Sequence, residues 1–90
     1  AEIVDAVGDK LDVICEGGIH RGTHILKALS VGAKACSGGR LYLYALAAAG
    51  QAGVERAINQ YRLELERDMK LMGCTKISEL NRNNLRFRNK

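Results

Sequence analysis

The sequence predicts an α/β fold with parallel strands, on three observations. A short run rich in β-branched residues, LDVIC at 11–15, ends in Glu-Gly-Gly. A helix-like run follows, and a second short run, AKACS at 33–37, ends in Gly-Gly-Arg. A long amphipathic stretch at 54–72 then closes the pattern. Strand, glycine turn, helix, strand, glycine turn is one βα unit and the start of another.

The elements follow in order. Residues 2–8, EIVDAVG, read as a helix that Gly8 stops. LDVIC suits a strand buried on both faces, as in a parallel sheet. Thr23 is placed to cap a helix over 24–31, whose apolar face is Ile25, Leu26, Ala28 and Leu29, with Gly32 at its end. AKACS is the second strand. LYLYALAAA at 41–49 is almost wholly apolar and alanine-rich, which favours a helix packed closely on other protein. Gly50 and Gly53 are expected to break it. In 54–72, Val54, Ala57, Ile58, Tyr61, Leu65, Met69 and Met72 recur at helical spacing, and Glu66 with Lys70 forms a favourable pair on the opposite face. TKISEL at 75–80 reads as a last helical turn with Thr75 as cap.

The bulk properties set limits. Ninety residues allow one small domain at most, and 47% hydrophobic residues exclude a disordered segment. There is no Trp and one Phe, so the apolar faces are expected to need a partner. The net charge of +4 is uneven: the basic tail, 81–90, carries Arg82, Arg86, Arg88 and Lys90 without an acid. A solvated tail is expected, with no nucleic-acid partner, because Phe87 is its one aromatic residue. Cys15, Cys36 and Cys74 are odd in number and fit no metal-ligand spacing. They point to a reducing compartment, with Cys15 and Cys36 as small buried hydrophobes, and the expected location is the cytoplasm or the periphery of the inner membrane. No stretch resembles a signal peptide, and no apolar run is long enough to span a bilayer.

The two glycine turns carry the chemistry. In a parallel sheet or barrel the strand C-termini face the ligand, and neighbouring strands bring the turns side by side. Backbone N–H groups of Gly17, Gly18 and Gly39 can then converge on a phosphate with no Cβ in the way. The start of the following helix adds partial positive charge. Arg40, with Arg21 or His20, can neutralise the anion. Glu16, at a strand end beside a turn, is placed to accept from ligand hydroxyls. His20 and His24 read as helix-start residues without a catalytic role.

The run CEGGIHRGTHILKALSVGAKACSGGRLYLYALAAAGQAGVERAI, continued to MKLMGCTKISEL, resembles the C-terminal part of the FMN-dependent α-hydroxy acid oxidases and dehydrogenases. The family pattern is Asp-Gly-Gly-Val-Arg-Arg-Gly-Thr-Asp, then Lys-Ala-Leu-Ala-Leu-Gly-Ala, then Gly-Arg. The resemblance implies strands seven and eight, with their helices, of a (β/α)8 TIM barrel, LDVIC being the seventh and AKACS the eighth. It implies FMN as cofactor, bound by Glu16, Gly17, Gly18, Ile19, His20, Arg21, Gly39 and Arg40. Glu16 stands at the ribityl-binding Asp position, His20 at a flavin-contacting Arg, and Gly39 with Arg40 at the phosphate-binding pair. Glu16 is one methylene longer than Asp, and His20 shorter than Arg. Ser37 and Gly38 replace branched apolar residues and are expected to loosen packing or admit water.

The family's catalytic His-Gly-Gly-Arg motif and its substrate-binding tyrosines and arginine are not in this sequence. A full barrel takes about 250 residues. The expectation is therefore the FMN-phosphate-binding fragment of an enzyme that oxidises an L-2-hydroxy acid, lactate- or mandelate-like, to the 2-oxo acid. Its expected partners are the remainder of the same barrel, the small substrate, and further copies in a tetramer or larger homo-oligomer. Alone the chain is expected not to fold stably, because its strands would have open edges. The alternatives are a barrel domain for another phosphorylated ligand, or a small non-enzymatic module that binds through its basic tail.

Overall fold

A computed structural model describes residues 1–88. Helix α1 is Glu2–Val7, strand β1 Ile14–Glu16, helix α2 Gly22–Val31, strand β2 Ala35–Ser37 and helix α3 Arg40–Met72; 3-10 turns follow at Ile77–Glu79 and Arg82–Asn84. The expected βα order is present. β1 and β2 form a two-stranded parallel sheet in the register Ile14↔Ala35, Cys15↔Cys36, Glu16↔Ser37. Its C-terminal ends are therefore level.

Both strands are shorter than their apolar runs. After α1 the chain is held in a turn by the N–H groups of Lys10 and Leu11, which donate to the Val7 carbonyl at 2.9 and 2.8 Å. That turn keeps Leu11 and Asp12 out of the ladder. α2 starts earlier than the sequence suggests, with Arg21 as N-cap in extended conformation. Thr23 is not its cap: the hydroxyl donates to Asp68 on α3. His24 closes the helix start, its Nδ1 accepting from the N–H groups of His20 at 3.1 Å and Arg21 at 3.3 Å.

α3 is two helical arms joined at Ala49 and Gly50, where the backbone leaves the helix. Gly50 has φ 58° and ψ −140°, a conformation open to glycine alone at low cost. The break at Gly50 is as expected, but Gly53 is no breaker. It lies inside the second arm, where a Cβ would come 2.1 Å from the Ala45 carbonyl oxygen, so its missing side chain lets the arms close on each other.

Leu26 and Tyr61 are the centre of a small core, with Ile19 and Leu80 also buried. The ring of Tyr42 meets that of Tyr61 edge-on, centroids 5.8 Å apart. Gly38 lies under Tyr42: a Cβ there would be 2.9 Å from the ring. The tyrosine ring packs on one side of Gly38, while Ser37 and Gly38 also line an open cleft. On α3 Ile58 is exposed despite its apolar spacing, and Glu66 pairs with Arg62 at 3.1 Å rather than with Lys70. Thr75 does not cap its turn through the backbone; its hydroxyl donates to Glu79 at 2.6 Å, and Lys76 stands at the N-cap.

The tail is not wholly solvated. Arg82 is half-buried and pairs with Asp5 at 2.7 Å, and its guanidinium donates to the carbonyls of Val31 and Ala1. Arg86 and Arg88 are exposed, and Lys90 lies outside the described residues. Ile14, Leu43, Tyr44 and Leu46 stand more than half exposed. These apolar side chains match the expectation that the faces need cover. No helix among the described residues is long and apolar enough to cross a membrane.

Candidate functional site

The level strand ends place two turns side by side. Glu16 leads into Gly17 and Gly18, and Ser37 leads into Gly38 and Gly39. A cleft of about 430 Å³ lies between them, bounded by Glu16, Gly17, Gly18, Ile19 and His20 on one side and by Ser37, Gly38, Gly39 and Arg40 on the other. Gly17 and Gly18 have φ of 96° and 68°, which turns the backbone sharply at the end of β1. A Cβ at Gly17, Gly18 or Gly39 would meet no atom within 4 Å. These glycines therefore answer to backbone geometry and open space, and not to close packing within the chain.

Gly39 is the N-cap of α3 and Arg40 its first residue. The N–H groups of the first helical turn have no partner within the helix and carry its partial positive charge. Arg40 is exposed and makes no ion pair among the described residues. One rim of the cleft thus offers a cation, a helix start and an unobstructed backbone. The other rim offers the Glu16 carboxylate, an acceptor without donors. This pairing suits a ligand that carries an anionic end and hydroxyl donors, and a polyol phosphate has both.

Seven of the eight residues singled out by sequence border this cleft. The eighth, Arg21, has its guanidinium elsewhere: Nε donates to Glu64 Oε2 at 2.7 Å, and a second nitrogen pairs with the same oxygen. Glu64 Oε1 accepts from the Gly22 N–H at 3.1 Å. The Glu64 side chain is only 2% exposed, and its carboxyl is lowered to about 2, first by the Arg21 hydrogen bond and then by the Gly22 N–H. Asp68, one turn on, is also lowered, chiefly by the Thr23 hydroxyl. Tyr61, one turn before, donates its hydroxyl to the Ile19 carbonyl, and burial pushes its own ionisation up.

Tyr61, Glu64 and Asp68 therefore grip residues 19–23 from behind the cleft. Sequence reading missed the two carboxylates, although a signal was present. Each falls three residues after a member of the apolar stripe, Glu64 after Tyr61 and Asp68 after Leu65, where an acid needs a buried partner. Gly22 is the contact point, because a Cβ there would lie 2.6 Å from Glu64 Cβ, the Leu65 nitrogen and the Tyr61 carbonyl oxygen. Among the described residues no group of three or more His, Cys, Asp or Glu is arranged to hold a metal ion.

A family model described as FMN-dependent dehydrogenase matches residues 1–87. The chain is 42% identical over 88 residues to a peroxisomal (S)-2-hydroxyacid oxidase of Arabidopsis thaliana, covering 98% of this chain and 24% of the relative. It is 51% identical over 72 residues to the L-lactate dehydrogenase (cytochrome) of Saccharomyces cerevisiae, covering 80% of this chain and 12% of the relative. Among solved structures, the recombinant flavin-binding domain of baker's yeast flavocytochrome b2 superposes with a TM-score of 0.84 at 39% identity, covering 98% of this chain and 25% of that one. The chain thus spans a quarter or less of the length of these relatives.

Proposed function

The chain belongs to the FMN-dependent dehydrogenase family, and we propose that it holds the phosphate and ribityl end of FMN in a flavoenzyme that oxidises a 2-hydroxy acid. The observation that carries this reading is the level register of β1 and β2, which sets two glycine turns around one cleft. The residues fit the group. The glycine turns leave room for a phosphate to reach the backbone, Arg40 supplies charge and forked donors, and Glu16 can accept from ribityl hydroxyls.

In this reading Gly17, Gly18 and Gly39 orient the phosphate through their N–H groups. Arg40 neutralises it, and Ile19 and His20 line the path toward the ring. Arg21 acts from behind, through Glu64, to hold the first turn in place. When bound, FMN supplies the electron acceptor for oxidation of a hydroxyl to a carbonyl. β1 and β2 are the seventh and eighth strands of a (β/α)8 barrel whose other strands cover the exposed face around Ile14. The catalytic His and Arg come from that remainder, and the substrate is an L-2-hydroxy acid of the lactate or mandelate kind. Leu43, Tyr44 and Leu46 are covered by the rest of the barrel or by further copies in a homo-oligomer.

The test compares FMN with riboflavin, which lacks the phosphate, on the purified protein. The wild type is expected to prefer FMN. Arg40→Ala should weaken FMN by about 10- to 100-fold, the loss of a charge-assisted hydrogen bond, and leave riboflavin nearly unchanged. Gly39→Ala should weaken FMN without loss of stability. Equal affinity for the two flavins in the wild type would refute the phosphate assignment.

A further inference from the structure

Two thiols that the proposed function does not use face each other across the sheet. Cys15 and Cys36 are direct partners in the parallel register, one residue before Glu16 and Ser37. Both are free and partly buried. Side chains alternate between faces along a strand, so residues paired in register project to the same face. Neighbouring strands lie about 4.7–4.9 Å apart, within the roughly 4.4–6.8 Å that the Cα atoms of a disulfide span.

We propose that Cys15 and Cys36 are a reversible oxidation site, closing to an intrachain disulfide under peroxide and weakening FMN binding at the adjoining turns. The second half of the proposal rests on the cofactor reading above. A disulfide needs its Cβ atoms about 3.5–4.5 Å apart, closer than parallel strands hold them. Closure therefore draws the strand ends together by up to about 1 Å. The next residues on each strand are Glu16 and Ser37, and the glycine turns follow directly. A phosphate held by N–H groups from both turns loses its geometry when their separation changes. The same misfit strains the bond and makes it easy to reduce, which suits a switch better than a structural link.

The chemistry balances. The thiolate of one cysteine attacks a peroxide oxygen; the O–O bond breaks, leaving a sulfenic acid and one water. The second thiol attacks that sulfur, an S–S bond forms, the S–O bond breaks and the hydroxyl leaves with a proton as a second water. The two thiols give up two electrons and two protons, and one peroxide is reduced. Cys15 is the first to react. It lines a cleft of about 270 Å³ beside Val4, Ala28 and Val31, wide enough for an oxidant as small as hydrogen peroxide. Burial, and then Cys15 itself, raises the Cys36 thiol, which fits the slower, resolving partner.

The test is peptide mapping of the purified protein after hydrogen peroxide, with and without a thiol reductant, alongside FMN titration of both forms. The expected result is a Cys15–Cys36 linked peptide that reductant removes, and FMN affinity about tenfold lower in the oxidised form. C15A and C36A should each lose the link and keep the affinity of the reduced wild type after peroxide, while C74A should behave as the wild type. Sulfinic acid at either cysteine without a link, or a link through Cys74, would overturn the proposal. So would a Cys15–Cys36 link that leaves FMN affinity unchanged. If the reduced protein binds no FMN, the cofactor reading falls by itself, and the oxidation site stands or falls on the peptide map.

Discussion

Gly22→Ala probes the contact on which the rear of the site depends. A Cβ at this position would lie 2.6 Å from two backbone atoms and from Glu64 Cβ, where ordinary contact begins at 3.4 Å. Neither Leu65 N nor the Tyr61 carbonyl can move without deforming α3. The start of α2 must therefore withdraw by about 0.8 Å, the difference between the two distances. That withdrawal stretches the 3.1 Å bond from the Gly22 N–H to Glu64 well past hydrogen-bonding range. Overpacking costs about 1–3 kcal/mol, and a hydrogen bond to a buried charge about 1.5–3 kcal/mol. One displacement causes both losses, so they do not simply add. The expected destabilisation is about 2–4 kcal/mol, read as a lower urea midpoint at unchanged slope. Gly39→Ala is the control, since its Cβ would meet nothing within 4 Å, and it should stay within about 0.5 kcal/mol of the wild type. A Gly22→Ala protein as stable as that control would mean that α2 does not touch α3 as described.

Three further outcomes are expected. Glu64 is held at about 2 against 4.5 for the free group, so the unfolded chain takes up its proton first as pH falls; the stabilisation is complete above 4.5 and is lost on the way down to about 2. Glu64→Gln should flatten the stability profile in that window, and an unchanged acid slope would rule out the pairing with Arg21. Tyr61→Phe removes the hydroxyl that donates to the Ile19 carbonyl and should cost about 1 kcal/mol by chemical denaturation. It should also speed hydrogen exchange across residues 19–22, and no change in that exchange would show the loop to be held otherwise. Gly50→Ala, at φ 58° and ψ −140°, should cost about 1–3 kcal/mol in the same assay, whereas a neutral result would place the kink elsewhere.

The parts legible in the sequence were those with a local cause. Double glycines mark turns wherever they occur, and the order of runs fixed a parallel pair with both turns at one end. The register that makes Glu16 and Ser37 partners follows from that order and from the equal place of each turn after its strand. What escaped was set by contacts between distant segments. Thr23 looks like a cap until Asp68 is known to stand opposite it, more than 40 residues along the chain. Gly53 looks like a breaker until the fold-back at Gly50 brings the Ala45 carbonyl against it. Arg21 looks like a phosphate ligand beside Arg40 until Glu64 claims its guanidinium. Composition showed that the exposed apolar side chains would need cover, and could not show which ones.

The bond between Arg21 and Glu64 joins unequal partners, and this bears on how such a chain can change over generations. Arg21 is 62% exposed and Glu64 only 2%. If Arg21 is lost first, the buried carboxylate keeps only the Gly22 N–H, and a buried charge left without its cation costs about 3–5 kcal/mol. If Glu64 is lost first, a buried N–H is orphaned and the loop behind the cleft loses its anchor. Mutation therefore crosses from this pair to an uncharged one through a weakened ancestor in either order, the weaker one where the arginine goes first. Descendant sequences should keep or lose the two together far more often than they keep the glutamate alone.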